Sequence, residues 1–526
     1  MAMPFVAANN LQTLAYTSGL RVIPEARMNK RQPKSIVGTD QSAGFAFGFA
    51  LTKMAELQSK INFNMEQSYL TALEAFLRDH PEIKCTLPSS PEYASDRRIF
   101  LLSRKANPFA IAHPESAEQV RALVKFARTN GIKFTIQGGG HNLQGLCIEE
   151  GALTIDMRAF TSVKIAADRK TATVGAGILQ DELGRILWKE GLSTPAGAIP
   201  SVGYLGWAMY GGYGPFSSNW GLGVDQIVAA TVLDASGAIS EADNTLLRSI
   251  RGAGGAFGII LGVTIKVYPM KTLFAGAIIY DSQDMEKAFI KYNAGYRKLS
   301  QEGLPKELTL QQMVFNSPQG RLFCVSFTWS SDNIEEGRRW SENVASLANV
   351  LMNTVAVTSI PNWYDGNAAL IPTNMYGQFR TQNLREITPE VAECLGRHLA
   401  KMPFDLCTMF SIHQSRISTS TPNSDSVFGA REPHFMLEII GCATTEEKSA
   451  ESQQWALDLW KDVSETEKKN FLDSVYISLD FVEEPPQAGT LNRLFGPHVD
   501  EILETKKRYD PENVFDLTVP RLSHYI

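Results

Sequence analysis

Four glycine-rich segments lie within about 120 residues of this 526-residue chain and constrain its fold more than any other feature. They read GGGHNLQG (138–145), PSVGYLGW (200–207), YGGYGPFSSNWGLGVD (210–225) and RGAGGAFGII (251–260). Glycine permits unusual backbone dihedral angles and close approach, so such loops can present backbone N–H groups to a phosphate. Any one segment could be a plain turn, but four in one region favour a large ligand that carries phosphates.

The first segment ends its glycine triplet on His141, directly after the short run KFTIQ. A histidine in such a loop is either an ordinary surface residue or a residue that touches the ligand, and the segment alone leaves both open. No segment matches GxGxxG or GxxxxGK[ST], and HExxH and GxSxG are also absent. These absences disfavour nicotinamide Rossmann domains, P-loop nucleotidases, zinc peptidases and serine hydrolases. A dinucleotide held by several loops remains.

Bulk composition is that of a globular protein with more than one domain. The chain is 44% hydrophobic and 20% charged, and its net charge of −6 gives no reason to expect nucleic-acid or membrane binding. No apolar stretch is long enough to span a bilayer, and the six cysteines show no CxxC spacing for a metal. The N-terminus lacks the layout of a secretory signal, and no glycosylation sequon occurs. We therefore expect an intracellular, cytoplasmic protein.

Local patterns predict an α+β domain over residues 76–270, preceded by a partly helical N-terminal extension over 1–75. SAEQVRALVKFARTNGI (116–132) has the spacing of an amphipathic helix, with Ser116 as its N-cap. KFTIQ, ALTIDM and KTATVGAGI predict strands, and QIVAATVLDASGAI predicts a hairpin.

A second α+β domain is predicted over residues 271–486, with a sheet backed by helices. Strand patterns such as GAIIYD, RLFCVSFTW and HFMLEIIG alternate with long amphipathic helical patterns. One of these helical patterns, IEEGRRWSENVASLANVLM, covers residues 334–352. The remaining segment, 487–526, contains the helical pattern VDEILETKKRYD followed by a proline.

The order of the glycine-rich segments resembles the PCMH-type FAD-binding domain of the vanillyl-alcohol-oxidase superfamily. The stretch FGPHVDEILETKKRYDPENVF (495–515) resembles the C-terminal signature of berberine-bridge-enzyme-like oxidases. The resemblance covers about 95–270 and 475–520, and the intervening domain is compatible with it. It implies a PCMH-type FAD-binding domain that the C-terminal segment closes, with the substrate-binding domain lying over the flavin.

This resemblance implies FAD as the cofactor, with one covalent link from His141 to the 8α-methyl group of the flavin. The glycine triplet would give N–H donors to the pyrophosphate, and Val224 and Ile260 would lie near the adenosine. The implied cofactor-binding residues are Gly138, Gly139, Gly140, His141, Asn142, Gly145, Ser201, Val202, Gly203, Gly206, Gly211, Gly212, Tyr213, Gly214, Val224, Ile260 and Asn513.

The chain also departs from the family pattern. Ile199 stands where many relatives carry a second flavin-linking cysteine, so at most one covalent link is possible. Trp207 replaces a histidine that can stabilise negative charge on the reduced ring, and Leu143 replaces a frequent tyrosine. The glutamate that acts as base in the namesake enzyme would fall near Arg416.

Four residues of the 271–486 region are the candidates for catalysis: His413, Arg416, Tyr476 and Tyr376. A proton acceptor must lie within hydrogen-bond reach of the substrate and have a suitable pKa. Each residue also has a structural interpretation, since His413 could bond within a strand and both tyrosines could simply pack. Arg416 is better suited to binding an anionic or carbonyl group than to acting as a base.

The resemblance implies an FAD-linked oxidase that removes a hydride from a small molecule and passes the electrons to O2. Val202, just before the glycine of PSVG, is the residue type that permits oxygen to reach the flavin in this family. A pocket with few acids favours a hydrophobic substrate, such as a secondary metabolite, over a sugar. Because the usual base is replaced, a non-redox cyclase or isomerase on the same scaffold stays open, as does a flavin-binding protein without catalysis.

Overall fold

The computed structural model describes residues 67–372, 374–416, 425–480 and 489–526, all within one compact unit over 64–526. Residues 67–79 form helix α1, and the rest of the predicted N-terminal extension lies outside the described residues. The boundaries expected at 75, 270 and 486 stay predictions. No helix in the described part of the chain is long and apolar enough to cross a membrane.

A four-stranded sheet carries the first glycine-rich segment. Its strands are β1 (Lys84–Thr86), β2 (Ala110–His113), β3 (Phe134–Gln137) and β4 (Leu153–Asp156), in the order β1-β2-β4-β3. Helix α2 (Tyr93–Asp96) precedes β2, and helix α3 (Ala117–Thr129) connects β2 to β3. As predicted, the Ser116 hydroxyl accepts a hydrogen bond from the N–H of Gln119 and caps α3. GGGHNLQG therefore leaves the carboxyl end of β3.

A five-stranded antiparallel sheet shares its core with the first sheet. Its strands are β5 (Val163–Ile165), β6 (Thr171–Gly175), β8 (Ile227–Leu233), β9 (Ile239–Glu241) and β10 (Ile259–Lys266), in the order β5-β6-β10-β8-β9. The predicted hairpin is confirmed as β8 and β9. The helices of this region are α4 (Gln180–Lys189), α5 (Tyr204–Met209), α6 (Ser217–Trp220) and α7 (Asn244–Ala253), and β7 (Leu192–Ser193) pairs with β11 (Tyr268–Pro269).

An eight-stranded antiparallel sheet follows, as the α+β prediction for the second half of the chain expects. Its strands are β12 (Leu273–Tyr280), β13 (Leu308–Ser317), β14 (Gly320–Trp329), β15 (Val350–Asn353), β16 (Ala356–Thr358), β17 (Tyr376–Leu384), β18 (Met409–Ser415) and β19 (His434–Ala443). Burial alternates strictly along β13, because one face of a strand packs on helices while the other faces away. The covering helices are α8 (Met285–Gln301), α9 (Ile334–Ala345), α11 (Pro389–Ala400) and α12 (Glu446–Ser464).

The helix predicted over 334–352 is wrong in its second half. Helix α9 ends at Ala345, and Val350–Asn353 form β15, which pairs with β12 at the edge of the sheet. The β-branched Val350, Val355 and Val357 favour extended backbone, and pairing with β12 provides partners for it. Helix α10 (Ile360–Ala368) follows.

The C-terminal segment packs on the region of the glycine-rich loops. It contains α13 (Thr490–Phe495) and α14 (Val499–Tyr509), the latter close to the predicted helix. Arg248 on α7 contacts Glu501 at 2.6 Å, and the ammonium group of Lys506 donates to the carbonyl of Ala256 at 2.8 Å. The tail thus returns to the first half of the fold.

Candidate functional site

A cavity of about 510 Å³ lies between the glycine-rich segments and the helix-free face of the eight-stranded sheet. The glycine-rich side contributes Gly138 to Asn142, Ile199, Val202, Gly203, Gly206, Trp207, Tyr213, Gly214, Gly255 and Gly258 to Ile260. The sheet side contributes Thr309, Gln311, Met313, Ser326, Thr328, Phe379, Met409, Ser411, His413, Met436, Glu438 and Ile440. One end is closed by four residues of the C-terminal segment, Phe515, Leu517, Thr518 and Val519.

The first two glycine-rich segments touch through their backbones. A Cβ atom on Gly139 would lie 2.8 Å from the carbonyl oxygen of Ser201 and 2.9 Å from the Cα of Gly203. The two loops are too close together for any side chain to fit between them. The two segments therefore form one continuous wall of the cavity.

This wall has unused hydrogen-bond donors. Within the described residues, the backbone N–H groups of Gly138, Gly139, Gly140 and His141 donate to no protein acceptor. A Cβ on Gly206 would meet no described protein atom within 4 Å and would occupy open cavity space. Consecutive free amides beside side-chain-free space suit a phosphate group that approaches the backbone closely.

His141 lies at the junction of these loops. Its Nε2 is 3.0 Å from the Ser201 hydroxyl, and its ring stacks on Phe100 with centroids 4.2 Å apart. Burial lowers the pKa of His141 to about 4, so the imidazole is neutral at neutral pH. A neutral imidazole offers a nitrogen lone pair to a ligand in the cavity.

Several of the predicted cofactor residues lie one layer behind the lining. A side chain on Gly211 would overlap Phe428 and Tyr476, and one on Gly212 would overlap Gly223. The other predicted residues outside the lining are Gly145, Ser201, Val224 and Asn513. Their contact with a cofactor stays a prediction.

The replacement of histidine by Trp207 has a packing explanation. Its indole N–H donates to the carbonyl of Tyr213 at 3.1 Å. A Cβ atom added to any of three glycines, Gly197, Gly212 or Gly223, would lie within about 3.2 Å of the indole ring. The glycines around Trp207 thus make room for an indole as well as for a ligand.

On the opposite wall, strand alternation places polar side chains toward the cavity. Ser411 and His413 lie two residues apart on β18 and both line it. His413 Nε2 is 2.9 Å from the side-chain nitrogen of Gln311 on β13. The structure thus brings predicted His413 to the cavity.

Glu438 on β19 is a site residue that the sequence interpretation missed. It is the one Asp, Glu, Lys or Arg among the described residues that line the cavity. The Ser411 hydroxyl donates to its Oε2 at 2.5 Å, and His413 Nε2 lies 3.5 Å from the same oxygen. Burial alone would raise the pKa of Glu438, but the bonds from His413 and Ser411 and the His413 charge lower it overall. A glutamate inside the apolar strand HFMLEIIG was the available signal, because such charges are seldom buried without a purpose.

The remaining predicted catalytic residues have mixed positions. Tyr476 lines the cavity and packs edge-on against Tyr213 with centroids 4.9 Å apart. Burial raises the pKa of Tyr476 to about 12, so its phenol stays protonated. Arg416 donates to the carbonyl of Leu308 outside the lining, and Tyr376 also lies outside it. Catalytic roles for these three residues stay predictions, and the geometry favours only Tyr476.

The cavity therefore combines two chemical functions. One wall offers free amides and a neutral imidazole to an elongated phosphate-bearing ligand. The other wall offers an ionised carboxylate among methionines and an aromatic ring. A small organic molecule between them would contact both the bound ligand and a proton acceptor. In the described part of the chain, no cluster of His, Cys, Asp and Glu is arranged to hold a metal ion.

Known proteins are similar to this chain in sequence and in fold. Residues 108–243 match the FAD binding domain family. The FAD-linked oxidoreductase aurO of Gibberella zeae is 31% identical over 441 residues, which span 83% of this chain and 85% of that protein.

Two solved structures have the same fold at low sequence identity. The 6-hydroxy-D-nicotine oxidase of Arthrobacter nicotinovorans superposes with a TM-score of 0.73 and 20% identity, covering 83% of this chain and 97% of that one. The wild-type berberine-bridge-enzyme-like protein 1 of Physcomitrella patens gives 0.72 and 19%, covering 84% and 97%.

Proposed function

The chain belongs to the FAD-linked oxidoreductases, and from this premise we propose that it is an oxidase of hydrophobic small molecules. It removes a hydride from a carbon that carries a hydroxyl group, and O2 takes up the electrons. The substrate class that fits best is a hydroxylated, largely apolar secondary metabolite. The single observation that carries this proposal is Glu438, the one acidic side chain in the described lining.

The residues of the glycine-rich wall fit FAD. The free amides of Gly138 to His141 would bind the pyrophosphate, and the space beside Gly206 would admit the cofactor. When bound, FAD accepts a hydride from the substrate. The protein's own contribution is to bind and orient both molecules and to move a proton.

We propose that His141 carries the single covalent link. Its neutral imidazole lines the cavity, and Ile199, which also lines it, has no group that could form a second link. Such a link would join an imidazole nitrogen to the 8α-methyl carbon, with loss of the N–H hydrogen and one methyl hydrogen. O2 would take up the two electrons and two protons released.

Glu438 would accept the proton of the substrate hydroxyl. Loss of a hydride from a carbon that bears a hydroxyl leaves a protonated carbonyl, so the proton must go to an acceptor within hydrogen-bond reach. Glu438 is held as an anion and faces the cavity. Ser411 and His413 fix the orientation of its carboxylate.

The apolar part of the wall supports a hydrophobic substrate. Met313, Met409 and Met436 line the sheet side, next to Phe379 and Ile440. Methionine is flexible and polarisable, so it packs well against aromatic rings of different shape. Val202 lies at the junction of the loops and lines the cavity, in the position that the family resemblance associates with access of O2.

Anaerobic mixing of the purified holoprotein with a probe panel tests this function. The panel contains 4-hydroxybenzyl alcohol, both enantiomers of 1-(4-hydroxyphenyl)ethanol, and cellobiose as a sugar. We expect a hydroxylated aromatic probe to bleach the visible flavin absorbance, and air to restore it with formation of hydrogen peroxide. Conversion of a probe without bleaching would favour the cyclase or isomerase alternative. Bleaching by cellobiose alone would contradict the proposed substrate class.

A further inference from the structure

Four polar side chains from three neighbouring strands form a connected network in the wall of the cavity. Gln311 lies opposite His413 in the pairing of β13 with β18, and Ser411 lies opposite Glu438 in the pairing of β18 with β19. The Gln311 amide nitrogen is 2.9 Å from His413 Nε2 and 3.2 Å from the Ser411 hydroxyl. His413 Nε2 and the Ser411 hydroxyl lie 3.5 Å and 2.5 Å from Glu438 Oε2.

An isolated carboxylate would not stay ionised in these surroundings. Removing a carboxylate from water disfavours its charged form unless a cation or donors compensate for the loss. The side chain of Glu438 is 19% exposed, and no Lys or Arg is among the described residues that line the cavity. Its compensation must therefore come from the network itself.

The other titratable groups near the network do not supply a positive charge. Burial raises the pKa values of Tyr213 and Tyr476, so both phenols stay neutral. The Tyr213 hydroxyl donates a hydrogen bond to Nε2 of His434 at 2.7 Å, and burial lowers the pKa of His434 to about 4. On β17 the residue paired with Glu438 is Thr381, which carries no charge. Among the described residues, His413 is thus the one group at hydrogen-bonding distance that can carry a compensating charge. When its Nε2 is protonated, the Gln311 amide must turn its oxygen toward that nitrogen, because two donors cannot face each other.

We propose that His413, oriented by Gln311, is a positioning residue that keeps Glu438 ionised and so sets the acidic limit of the oxidation. This inference rests on the proposed function, in which Glu438 accepts the substrate proton. His413 then acts through Glu438 and does not itself take the proton from the substrate. The sequence interpretation, which placed His413 among the candidate bases, is refined accordingly.

Infrared titration of the holoprotein tests this assignment without any substrate. The carboxylic acid C=O band of Glu438 is the band that Glu438→Gln removes from the wild-type spectrum. In His413→Gln we expect this acid to persist to a pH about one to three units higher, because the compensating charge is lost. A shift of one unit lowers the ionised fraction about tenfold at acidic pH. Gln311→Leu leaves the imidazole in place and should move the band in the same direction by less.

His398→Gln is the matched control, since His398 forms a histidine–carboxylate pair with Asp462 at 2.8 Å outside the cavity. It should leave the Glu438 band unchanged. A band that titrates at the wild-type pH in both His413→Gln and Gln311→Leu would overturn the inference, as would the absence of any band that Glu438→Gln removes. If Glu438→Gln reduces its flavin at the wild-type rate, the proposed base fails. If flavin reduction is slow in Glu438→Gln but the Glu438 band does not shift in His413→Gln, the proposed base stands and only the role of His413 is contradicted.

Discussion

Gly139 and Gly203 let the first two glycine-rich loops touch, since a Cβ on Gly203 would lie 2.7 Å from the backbone nitrogen of Gly139. Neither glycine is needed for a positive φ angle. Each is needed because the other loop occupies the space of a side chain. Gly206, a few residues further on, has open cavity space in that direction instead.

This contrast predicts that alanine substitutions at Gly139 and Gly206 have different effects, the first on protein stability and the second on flavin binding. Gly139→Ala should destabilise the apoprotein by about 1–3 kcal/mol, because its methyl group overlaps backbone that has little room to move. Gly206→Ala should leave apoprotein stability unchanged or raise it by up to about 1 kcal/mol through helix propensity, while the flavin content falls. Thermal unfolding of apoprotein and the flavin absorbance of each purified variant measure both effects. Gly366→Ala, in α10 with no neighbour within 4 Å, is the control; equal flavin contents in Gly206→Ala and this control would contradict the predicted effect on flavin binding.

His141→Ala should release the flavin from the protein. We expect acid-precipitated wild-type protein to keep its yellow colour in the pellet and the variant to leave any colour in the supernatant. His524→Ala replaces an exposed histidine outside the cavity and should behave like the wild type. Wild-type colour in the supernatant would show that the flavin is bound without a covalent link.

The buried pair of Lys506 and Asp510 should be the strongest single anchor of the C-terminal segment. Their charged atoms are 2.5 Å apart, and the side chains are 1% and 0% exposed. Lys506→Met leaves a buried carboxylate without its cation, which we expect to cost about 3–5 kcal/mol in the free energy of unfolding. Denaturant titration of the variant against exposed Lys507→Met measures this loss. A decrease of less than about 1 kcal/mol in the free energy of unfolding of Lys506→Met would mean that other contacts anchor the C-terminal segment.

His113 should make stability depend on pH. It lies 3.4 Å from Asp156 and 3.3 Å from Asp96, and the hydrogen bond with Asp156 is the main cause of its raised pKa. A raised folded-state pKa adds stability that is complete below the ordinary value of 6.5 and is lost as pH rises through the folded-state value. The melting temperature of wild type minus that of His113→Gln should therefore be largest in acid and shrink in alkali. A difference that grows with pH would contradict this sign.

The sequence was sufficient to locate part of the glycine-rich wall of the cavity because the relevant information is local. His141 and its preceding glycines are adjacent in the chain, and Ser116 caps its own helix. Such features depend on a few neighbouring residues and can be read without knowing how strands pair. The error in the helix predicted over 334–352 has the opposite origin, since β15 exists only because β12 offers it a partner.

The substrate wall depends on strand pairing and could not be predicted in the same way. The family's glutamate position was assigned near Arg416, so the usual base was taken to be replaced. The Arg416 side chain donates to the carbonyl of Leu308 outside the lining. Glu438 lies on the neighbouring strand β19 and reaches the cavity because of its register with Ser411. A shift of one residue in that register would turn Glu438 toward the helices. The presence of a glutamate in an apolar strand could be seen in the sequence, but its position in the cavity wall could not.

The reduction rate of the flavin in Glu438→Gln tests the proposed mechanism most directly. Wild type, Glu438→Gln and the His398→Gln control are each mixed anaerobically with the panel probe that bleaches the wild-type flavin. We expect Glu438→Gln to keep its flavin content but to be reduced about 10²- to 10⁴-fold more slowly, the usual contribution of a general base. Reduction of Glu438→Gln at the wild-type rate would show that the one carboxylate in the described lining does not take the substrate proton.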